Sequence, residues 1–391
     1  MPYEPAERFD QVSYAIRDVL GPARELEAQG HDVLKLNIGD PCAFDFEPPT
    51  KLLEAHRQGA RPAGYSPSQG SRSAREAIAR YERSRGVDVG AEDVVVTTGT
   101  SEALGLLLAS VLDPGEEVLI PGPAYPPYVS LPLITSAQSR AYPCRMEDGW
   151  APDPDAIRER IDEDTQALVV ISPNNPTGAT IPEDVLEEIC EIAWEHELLL
   201  ITDDIYWELS FGQRPTTAGA IGQGPVVVLD GLSKSWLVPG WRAGWMAFRD
   251  PDDELAGIKE TVMKQARLRL CSPAPMQAAI ANTLTPNADH LDDVRRRLRR
   301  RAETVYERVQ STQALSMAKP EGAFYAFVRI DDLEGSDKDW VLDLLEEEQV
   351  LTVHGSGFGD AGTGHFRMVY LPPVDVLEDA MDRIVRFAES R

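Results

Sequence analysis

The sequence predicts an α/β fold, with a large domain built on a mostly parallel sheet covered by helices and a second, smaller α+β domain. Two observations lead to this prediction. Through the middle of the chain, short apolar runs typical of buried strands alternate with segments whose apolar residues recur at helical spacing, and this alternation is typical of parallel sheets covered on both faces. Beyond an arginine-rich segment at residues 295–301, the pattern changes to strand, helix, strand and helix.

The predicted strands of the large domain are six short apolar runs. They cover residues 93–97, 117–120, 167–171, 198–202, 225–229 and 244–248. A helix is predicted over about residues 101–112, and another over residues 182–196, where apolar residues recur at helical spacing. Pro182 lies near the first turn of this second helix, where its missing N–H costs little.

The smaller domain begins after the arginine-rich segment. Its predicted strands are residues 323–330 and 365–370, and its predicted helices are residues 340–348 and 376–389. The arginines themselves predict a solvated helix face that pairs with neighbouring acids, because a chain this acidic is a poor partner for nucleic acid.

The chain is strongly acidic, with a formal net charge of −27 over 391 residues. The summed field repels nucleic acid and anionic membranes and so argues against both as partners. No apolar run approaches the ~20 residues that span a bilayer. The first ten residues lack the basic and apolar segments of a signal peptide, so we predict a cytoplasmic protein. Abundant carboxylates with few lysines indicate either a salt-adapted, halophilic protein, in which charge maintains solubility, or an ordinary acidic enzyme.

Four cysteines and six histidines are scattered along the chain. No pair of cysteines has the spacing of a metal or redox motif, and the histidines form no ligand cluster. The sequence therefore predicts free thiols in a reducing compartment and no metal site.

Lys234 follows the predicted strand at residues 225–229, at the edge where α/β sheets bind ligands. A lysine amine there can form a Schiff base if its surroundings keep it neutral part of the time. The hydroxyl of Ser233 and the guanidinium of Arg242 could both bind a phosphate. An amine for a carbonyl and two groups for a phosphate together indicate pyridoxal phosphate, although a lysine taken singly is more often a solvated surface residue.

The pattern Ser-Lys-x-x-x-x-Pro-Gly-x-Arg-x-Gly at residues 233–244 resembles the cofactor-lysine signature of the class I and II aminotransferases, which are fold type I pyridoxal-phosphate enzymes. Matching positions recur in order along nearly the whole chain, at Gly39, Tyr65, Gly99, Tyr128, Asn175, Asp203, Lys234, Arg242 and Arg367. The resemblance implies a large domain with a seven-stranded sheet, residues 45–290, and a small domain formed by residues 1–44 and 291–391. It also implies a homodimer.

A phosphate site is predicted where residues 97–103 join a strand to a helix. The free N–H groups and the dipole of a helix N-terminus attract phosphate. Gly99 allows the backbone to approach closely, and Thr100 and Ser101 can add donors. An ordinary helix cap would use the same residues, so this signal is open when taken alone.

Asp203 ends an apolar strand, where a carboxylate needs a cationic partner to stay charged. The resemblance makes that partner the pyridinium nitrogen and selects Asp203 rather than Asp204; a solvent-facing position for both acids is the alternative. By the same resemblance, Tyr206 and Asn175 face the phenolic oxygen of the cofactor. The sequence around Asn175 is also a good turn in its own right.

Four further positions take their roles from the resemblance. Tyr128 is placed on the pyridine face, with Tyr125 as its rival and core packing as the alternative for both. Tyr65 is implied to reach the phosphate of a neighbouring subunit. Arg367 is implied to bind the substrate α-carboxylate, although a structural salt bridge would also satisfy a buried arginine. Gly39 is implied to leave room over that carboxylate.

The implied reaction moves an amino group in two half-reactions with ping-pong kinetics. Lys234 acts as general base, while Asp203 and Tyr206 tune the ring. The resemblance is greatest to an alanine aminotransferase-like branch, which predicts alanine and 2-oxoglutarate as substrates, with aspartate second. Arg267 or Arg269 could bind the distal carboxylate, or either could be an exposed helix residue.

Two other functions stay open at this point. A pyridoxal-phosphate lyase that breaks a C–S or other bond at Cβ would use the same lysine. A ligand-sensing regulator would keep the fold without catalysis, but it would need a DNA-binding module for which we expect no room before residue 34 or after residue 389.

Overall fold

The computed structural model describes the chain except for residues 1, 2, 5, 11, 13, 14, 62, 223 and 287 and the side chain at position 18. Within the described residues, the strands are β1 (Leu34–Lys35), β2 (Val94–Thr97), β3 (Glu117–Gly122), β4 (Gln138–Pro143), β5 (Thr165–Ile171), β6 (Leu199–Asp203), β7 (Val226–Gly231), β8 (Gly244–Arg249), β9 (Leu315–Ser316), β10 (Tyr325–Ile330), β11 (Val350–Leu351), β12 (Val353–His354) and β13 (His365–Val369). The helices are α1 (Ala15–Asp18), α2 (Leu20–Ala28), α3 (Thr50–Gly59), α4 (Arg72–Ser84), α5 (Thr100–Val111), α6 (Pro126–Ile134), α7 (Pro154–Arg158), α8 (Glu183–Glu195), α9 (Ala256–Leu268), α10 (Ala274–Thr283), α11 (His290–Val309), α12 (Asp337–Glu348) and α13 (Val374–Glu389).

The largest sheet has seven strands in the order β2-β8-β7-β6-β5-β3-β4. Only β8 runs antiparallel to its neighbours, so the other six strands place their carboxyl ends along one edge. Successive residues of β2 pack into different apolar clusters: Val94 and Val96 face one side of the sheet and Val95 the other. Both faces are thus covered, which confirms the predicted α/β fold and explains why these strands are apolar throughout.

Strand β4 is the one strand of this sheet that has no counterpart among the six predicted apolar runs. It lies at the edge of the sheet and pairs only with β3 in the described residues. All of its residues from Gln138 to Pro143 except Tyr142 are exposed or half-exposed, and they include Ser139 and Arg140. An edge strand with one wet side needs no apolar run, so the pattern gave no signal.

A smaller antiparallel sheet, in the order β12-β13-β10-β9, is built by the C-terminal part of the chain. Its core is shared with helices α11, α12 and α13 and with N-terminal residues, including Val19 and Leu36. Strand β1 also pairs in parallel with β11, which attaches the N-terminal segment to this region. The predicted α+β character is confirmed, while the division at residues 44/45 and 290/291 stays a prediction.

The arginine-rich segment lies in α11 and makes ion pairs along its length. Arg295 and Arg296 pair with acids one turn earlier on the same helix. Arg301, by contrast, is buried and binds both carboxylate oxygens of Asp45 at 2.7 Å. The solvated face is therefore only part of this segment, because Arg301 connects α11 to the loop before α3.

Among the helices of the described residues, none combines the length and the apolar character that a membrane span requires.

Candidate active site

A cavity of about 420 Å³ opens at the carboxyl edge of the large sheet, where it meets the smaller one. Ten of the predicted site residues line it: Gly39, Thr100, Ser101, Asn175, Asp203, Tyr206, Ser233, Lys234, Arg242 and Arg367. These residues are up to 328 positions apart, counted from Gly39 to Arg367. The fold therefore brings together groups from the N-terminal segment, the large sheet and the smaller sheet. Three further predicted residues, Gly99, Tyr128 and Tyr65, lie outside the cavity wall.

Lys234 lies in the loop that follows β7, and its side chain extends into the cavity. Its Nζ donates a hydrogen bond to the carbonyl oxygen of Gly39 at 2.9 Å. Burial lowers the pKa of Lys234 to about 8, and the positive charges of Arg367 and Arg242 act in the same direction. About a tenth of such an amine is neutral at pH 7. Lys234 is thus a usable nucleophile and base without any added partner.

Asp203 is the last residue of β6, and its carboxylate is buried against the cavity. Burial raises the pKa of Asp203 to about 6, although hydrogen bonds from the Tyr128 hydroxyl and the Ile205 backbone N–H oppose this rise. Those bonds are 2.7 Å to Oδ2 and 3.2 Å to Oδ1. A cation in the cavity would hold this carboxyl ionised, so the site is suited to a positively charged ring nitrogen.

Asp204 points to the other side of the strand, away from the cavity. Its carboxylate is buried and accepts hydrogen bonds from Arg85 and from the hydroxyls of Thr217, at 2.6 Å, and Thr202, at 2.8 Å. Adjacent residues of a strand face opposite sides, so only one of the two acids can reach the cavity. That acid is Asp203.

Tyr128 and its rival Tyr125 lie on different sides of the cavity wall. Helix α6 begins at Pro126, so Tyr125 precedes the helix and lines the cavity, whereas Tyr128 lies inside the first turn and faces the sheet. Tyr128 is buried, and its hydroxyl donates to Asp203 from outside the cavity wall. The rival residue, Tyr125, lines the cavity, as Tyr206 and Tyr325 do.

A cluster of donors lies at the N-terminus of α5. Thr100 and Ser101 begin this helix and line the cavity together with Ser233 and Arg242. Gly99 lies just outside it with a backbone φ of +89°, and a methyl group on Gly99 would overlap the guanidinium of Arg242. The glycine thus allows Arg242 to lie across the end of α5. A helix N-terminus, hydroxyls and a guanidinium together suit a phosphate.

Arg367 is the charged group on the opposite side of the cavity. It lies in β13 and is 1% exposed, with Nη1 donating to Asn175 Oδ1 at 3.0 Å and Nη2 donating to the Asn37 carbonyl at 2.5 Å. Its guanidinium also lies 4.6 Å from the centre of the Tyr325 ring and 4.9 Å from that of Phe358. Rigid neutral contacts hold the guanidinium in place, where its planar fork can bind a carboxylate.

Tyr206 and Tyr325 form a pair of hydroxyls in the cavity wall. Their oxygens lie 2.7 Å apart, and burial raises the pKa of Tyr206 well above its usual value. The sequence reasoning singled out Tyr206 but missed Tyr325. Antiparallel pairing of the two predicted strands of the smaller domain was the available signal, since Tyr325 lies opposite Val369, two residues from Arg367.

Arg17 is a second cavity residue that the sequence reasoning missed, and no motif marks it. The two arginines proposed for the distal carboxylate, by contrast, do not line the cavity. Arg269 donates to the Ser272 hydroxyl at 2.9 Å and the Val96 carbonyl at 2.7 Å, so its guanidinium has a structural role. Arg267 is exposed on α9.

Tyr65 is 85% exposed, and Leu268 and Leu270 are also exposed. Cys42, Cys144, Cys190 and Cys271 are free. Among the described residues, no group of three His, Cys, Asp or Glu side chains is arranged to hold a metal ion.

The chain is similar to known proteins in both sequence and structure. The model of the family of class I and II aminotransferases matches residues 31–384. A glutamate-pyruvate aminotransferase of Haemophilus influenzae is 36% identical over 394 residues, which cover 97% of each chain. An alanine aminotransferase of Mycobacterium tuberculosis is also 36% identical, over 98% of this chain and 92% of its own. The structure of an alanine aminotransferase from Pyrococcus furiosus superimposes with a TM-score of 0.97 at 42% identity, covering 99% of this chain and all of the other.

Proposed function

Because the chain belongs to the class I and II aminotransferase family, and is therefore a transaminase with pyridoxal phosphate as cofactor, we propose that the cavity around Lys234 is its active site. One observation supports this proposal most directly. The amine of Lys234, the carboxylate of Asp203 and the guanidinium of Arg367 open into one cavity large enough for a cofactor and a small amino acid.

The residues around the cavity fit the cofactor. Thr100, Ser101, Ser233 and Arg242 would hold the phosphate, with Gly99 allowing their approach. When bound, pyridoxal phosphate supplies an electrophilic aldehyde and a ring that spreads negative charge from the substrate Cα.

The ring would be held by a second set of side chains. Asp203 would pair with its nitrogen, and the cationic ring would in turn hold this buried carboxyl ionised. The face of the ring would lie on Tyr128, whose hydroxyl bonds the same Asp203, or on its rival Tyr125, which lines the cavity. Asn175 and Tyr206 would hydrogen-bond the phenolic oxygen.

Lys234 would move the proton on which the reaction depends. Once its amine is released, Nζ would take the proton from the substrate Cα, hold it, and give it up again to complete the half-reaction. A pKa of about 8 suits both directions of this transfer near neutral pH. The amino acid and the oxo acid would enter and leave in turn, which gives ping-pong kinetics.

For the substrates, we propose alanine and 2-oxoglutarate first and aspartate as the second amino donor. Arg367 would bind the α-carboxylate, and Gly39 would leave space above it. Arg17 lines the same cavity, whereas Arg269 is held elsewhere by Ser272, so Arg17 becomes the candidate for the distal carboxylate of 2-oxoglutarate. The names of the alanine and glutamate-pyruvate aminotransferases among its relatives support the same order.

We also propose a homodimer with shared active sites. Tyr65 is 85%, Leu268 87% and Leu270 53% exposed, and large apolar side chains exposed at a surface favour an interface. Tyr65 would then reach the phosphate of the neighbouring subunit. In a mixed dimer of Lys234→Ala and Tyr65→Phe subunits, one site would contain both intact residues, so mixing the two weakened variants should restore activity. Absence of restoration would argue against sharing.

The location and the salt dependence are further proposals. Four free cysteines suit the reducing cytoplasm. A net charge of −27 suits a halophilic enzyme, since molar salt shortens the Debye length to ~3 Å and screens the carboxylates from one another. We therefore expect the melting temperature to rise with KCl concentration. A melting temperature independent of KCl would contradict salt adaptation and favour the alternative of an ordinary acidic enzyme.

Spectroscopy of the purified enzyme tests the function as a whole. We expect a yellow protein that loses its visible band with alanine and regains it with 2-oxoglutarate. Lys234→Ala should abolish the cycle, while Lys259→Ala, a change at a lysine that pairs with Asp93 outside the cavity, should not. Failure of both alanine and aspartate as donors would refute the substrate proposal, and a fully active Lys234→Ala variant would refute the site.

A further inference from the structure

Tyr325 lies at the start of β10, in the wall of the cavity, where the two sheets meet. Its hydroxyl oxygen lies 2.7 Å from that of Tyr206, and the two rings meet edge to face at 5.6 Å. Tyr206 follows β6 of the large sheet, so this hydrogen bond joins the two parts of the active site.

The surroundings of Tyr325 hold its hydroxyl in one place. The guanidinium of Arg367 lies over the ring at 4.6 Å, and the ring of Phe324 packs against it at 4.8 Å. On a third side lies Gly39, where an added methyl group would overlap the hydroxyl oxygen. A side chain enclosed in this way keeps its hydrogen-bond geometry with little loss of entropy on ligand binding.

The number of protons fixes the direction of the Tyr206–Tyr325 hydrogen bond in the loaded enzyme. A phenol has one O–H, which can serve one strong acceptor. If Tyr206 donates its proton to the phenolic oxygen of the cofactor, as proposed above, then its own oxygen is left to accept from Tyr325. Donation into a hydroxyl oxygen polarises that hydroxyl and strengthens the bond it gives in turn.

We propose that Tyr325 is a positioning residue for transamination, whose hydroxyl acts through Tyr206 on the proton at Lys234 Nζ. This inference rests on the proposed function of the cavity. A stronger hydrogen bond to the phenolic oxygen withdraws negative charge that would otherwise hold a proton on the neighbouring Nζ. Tyr325 therefore favours the unprotonated state of that nitrogen at neutral pH.

The test is a pH titration of the visible absorbance of the cofactor-loaded enzyme without substrate. Tyr325→Phe keeps the ring beneath Arg367 and removes only the hydroxyl, and it should raise the midpoint by about 0.5 pH unit, part of the effect of one hydrogen bond. Tyr206→Phe should raise it further. If Tyr325 acts through Tyr206, the double variant should titrate like Tyr206→Phe alone.

Two more variants separate this role from a structural one. Tyr142→Phe is the matched control, since Tyr142 is also buried and donates to the backbone carbonyl of Val169 at 2.7 Å, and it should leave the midpoint unchanged. Replacing Tyr325 by 3-fluorotyrosine makes the hydroxyl a stronger acid and a better donor, so it should lower the midpoint. Opposite shifts from two small changes at one position would not follow from loosened packing.

The outcomes are distinguishable. A midpoint that is unchanged or lower in Tyr325→Phe, or shifts of Tyr325→Phe and Tyr206→Phe that add in the double variant, would overturn the inference while leaving the proposed function intact. A midpoint that is unchanged in Tyr206→Phe would overturn both the role proposed for Tyr206 and the inference that depends on it. If the wild-type enzyme showed no visible absorbance band after loading with pyridoxal phosphate, the proposed function itself would be refuted.

Discussion

Removing the hydroxyl of Tyr128 should weaken cofactor binding in a way that depends on pH. Tyr128 donates to Asp203 Oδ2 at 2.7 Å and lowers the pKa of that buried carboxyl, which nevertheless stays near 6. A hydrogen bond to a charged acceptor contributes about 1.5–3 kcal/mol. At 1.36 kcal/mol per pH unit, Tyr128→Phe should therefore raise the pKa of Asp203 by about one to two units.

The consequence for binding follows from the ionised fraction of Asp203. At pH 7 this fraction should fall from about nine tenths to between about a half and a tenth, since a carboxyl with its pKa near 7 to 8 is half or mostly protonated. The affinity for pyridoxal phosphate at pH 7 should fall about two- to tenfold. The deficit should grow at pH 6 and nearly disappear at pH 9, where Asp203 is ionised in both proteins.

The assay is a titration of the cofactor-free enzyme with pyridoxal phosphate at pH 6, 7 and 9, followed by absorbance. Tyr142→Phe is the matched control, because Tyr142 is equally buried and donates to the Val169 carbonyl at 2.7 Å. If Tyr128→Phe and Tyr142→Phe lost the same affinity at every pH, the proposed link from Tyr128 through Asp203 to the ring would be refuted.

Three further predictions concern stability and fit. In cofactor-free protein, Lys234→Met should add about 3 kcal/mol to the free energy of urea unfolding at pH 7, because burial lowers the pKa of the lysine from 10.5 to about 8. The gain should shrink as pH rises from 8 to 10.5, where the wild-type lysine loses its proton on folding; a gain constant over that window would contradict the shift. Arg85→Met should lower the free energy of unfolding by about 3–5 kcal/mol in the same assay, because Glu82, Asp204 and Asp230 would lose the buried cation that they share. Arg83→Met, at a nearby exposed position, should lower it far less. Gly99→Ala should weaken cofactor binding, because its methyl group would displace the Arg242 guanidinium; an unchanged dissociation constant would show that Arg242 can move freely.

Much of the large sheet could be predicted because its strands are buried on both faces and therefore read as apolar runs. Residues 167–171 and 244–248 differ from β5 and β8 only at their ends. Strand β4 could not be predicted in the same way, because it lies at the edge and carries polar side chains. The pattern of the smaller domain was sufficient to predict β10, β13, α12 and α13. It did not predict the two-residue strands β9, β11 and β12 or the pairing of β11 with β1.

The candidate site was predictable where a residue's role depends on its place at the end of a strand, as for Asp203 and Lys234. Adjacent residues of a strand face opposite sides, so the sequence predicts that Asp203 and Asp204 diverge. Which of the two faces Arg85 depends on the fold. Which of Tyr125 and Tyr128 lines the cavity depended on where α6 begins. Tyr325 reaches the cavity through strand pairing across the smaller sheet, which local sequence does not specify.

Chemical trapping of the cofactor tests the central claim most directly. Borohydride reduction of the cofactor-loaded enzyme fixes pyridoxal phosphate to the amine that carries it, and peptide mapping by mass spectrometry then identifies that amine. We predict a single labelled lysine, Lys234, with labelling blocked in Lys234→Ala. A label on any of the other six lysines in the wild-type protein, or none at all, would contradict the assignment of this cavity as the active site.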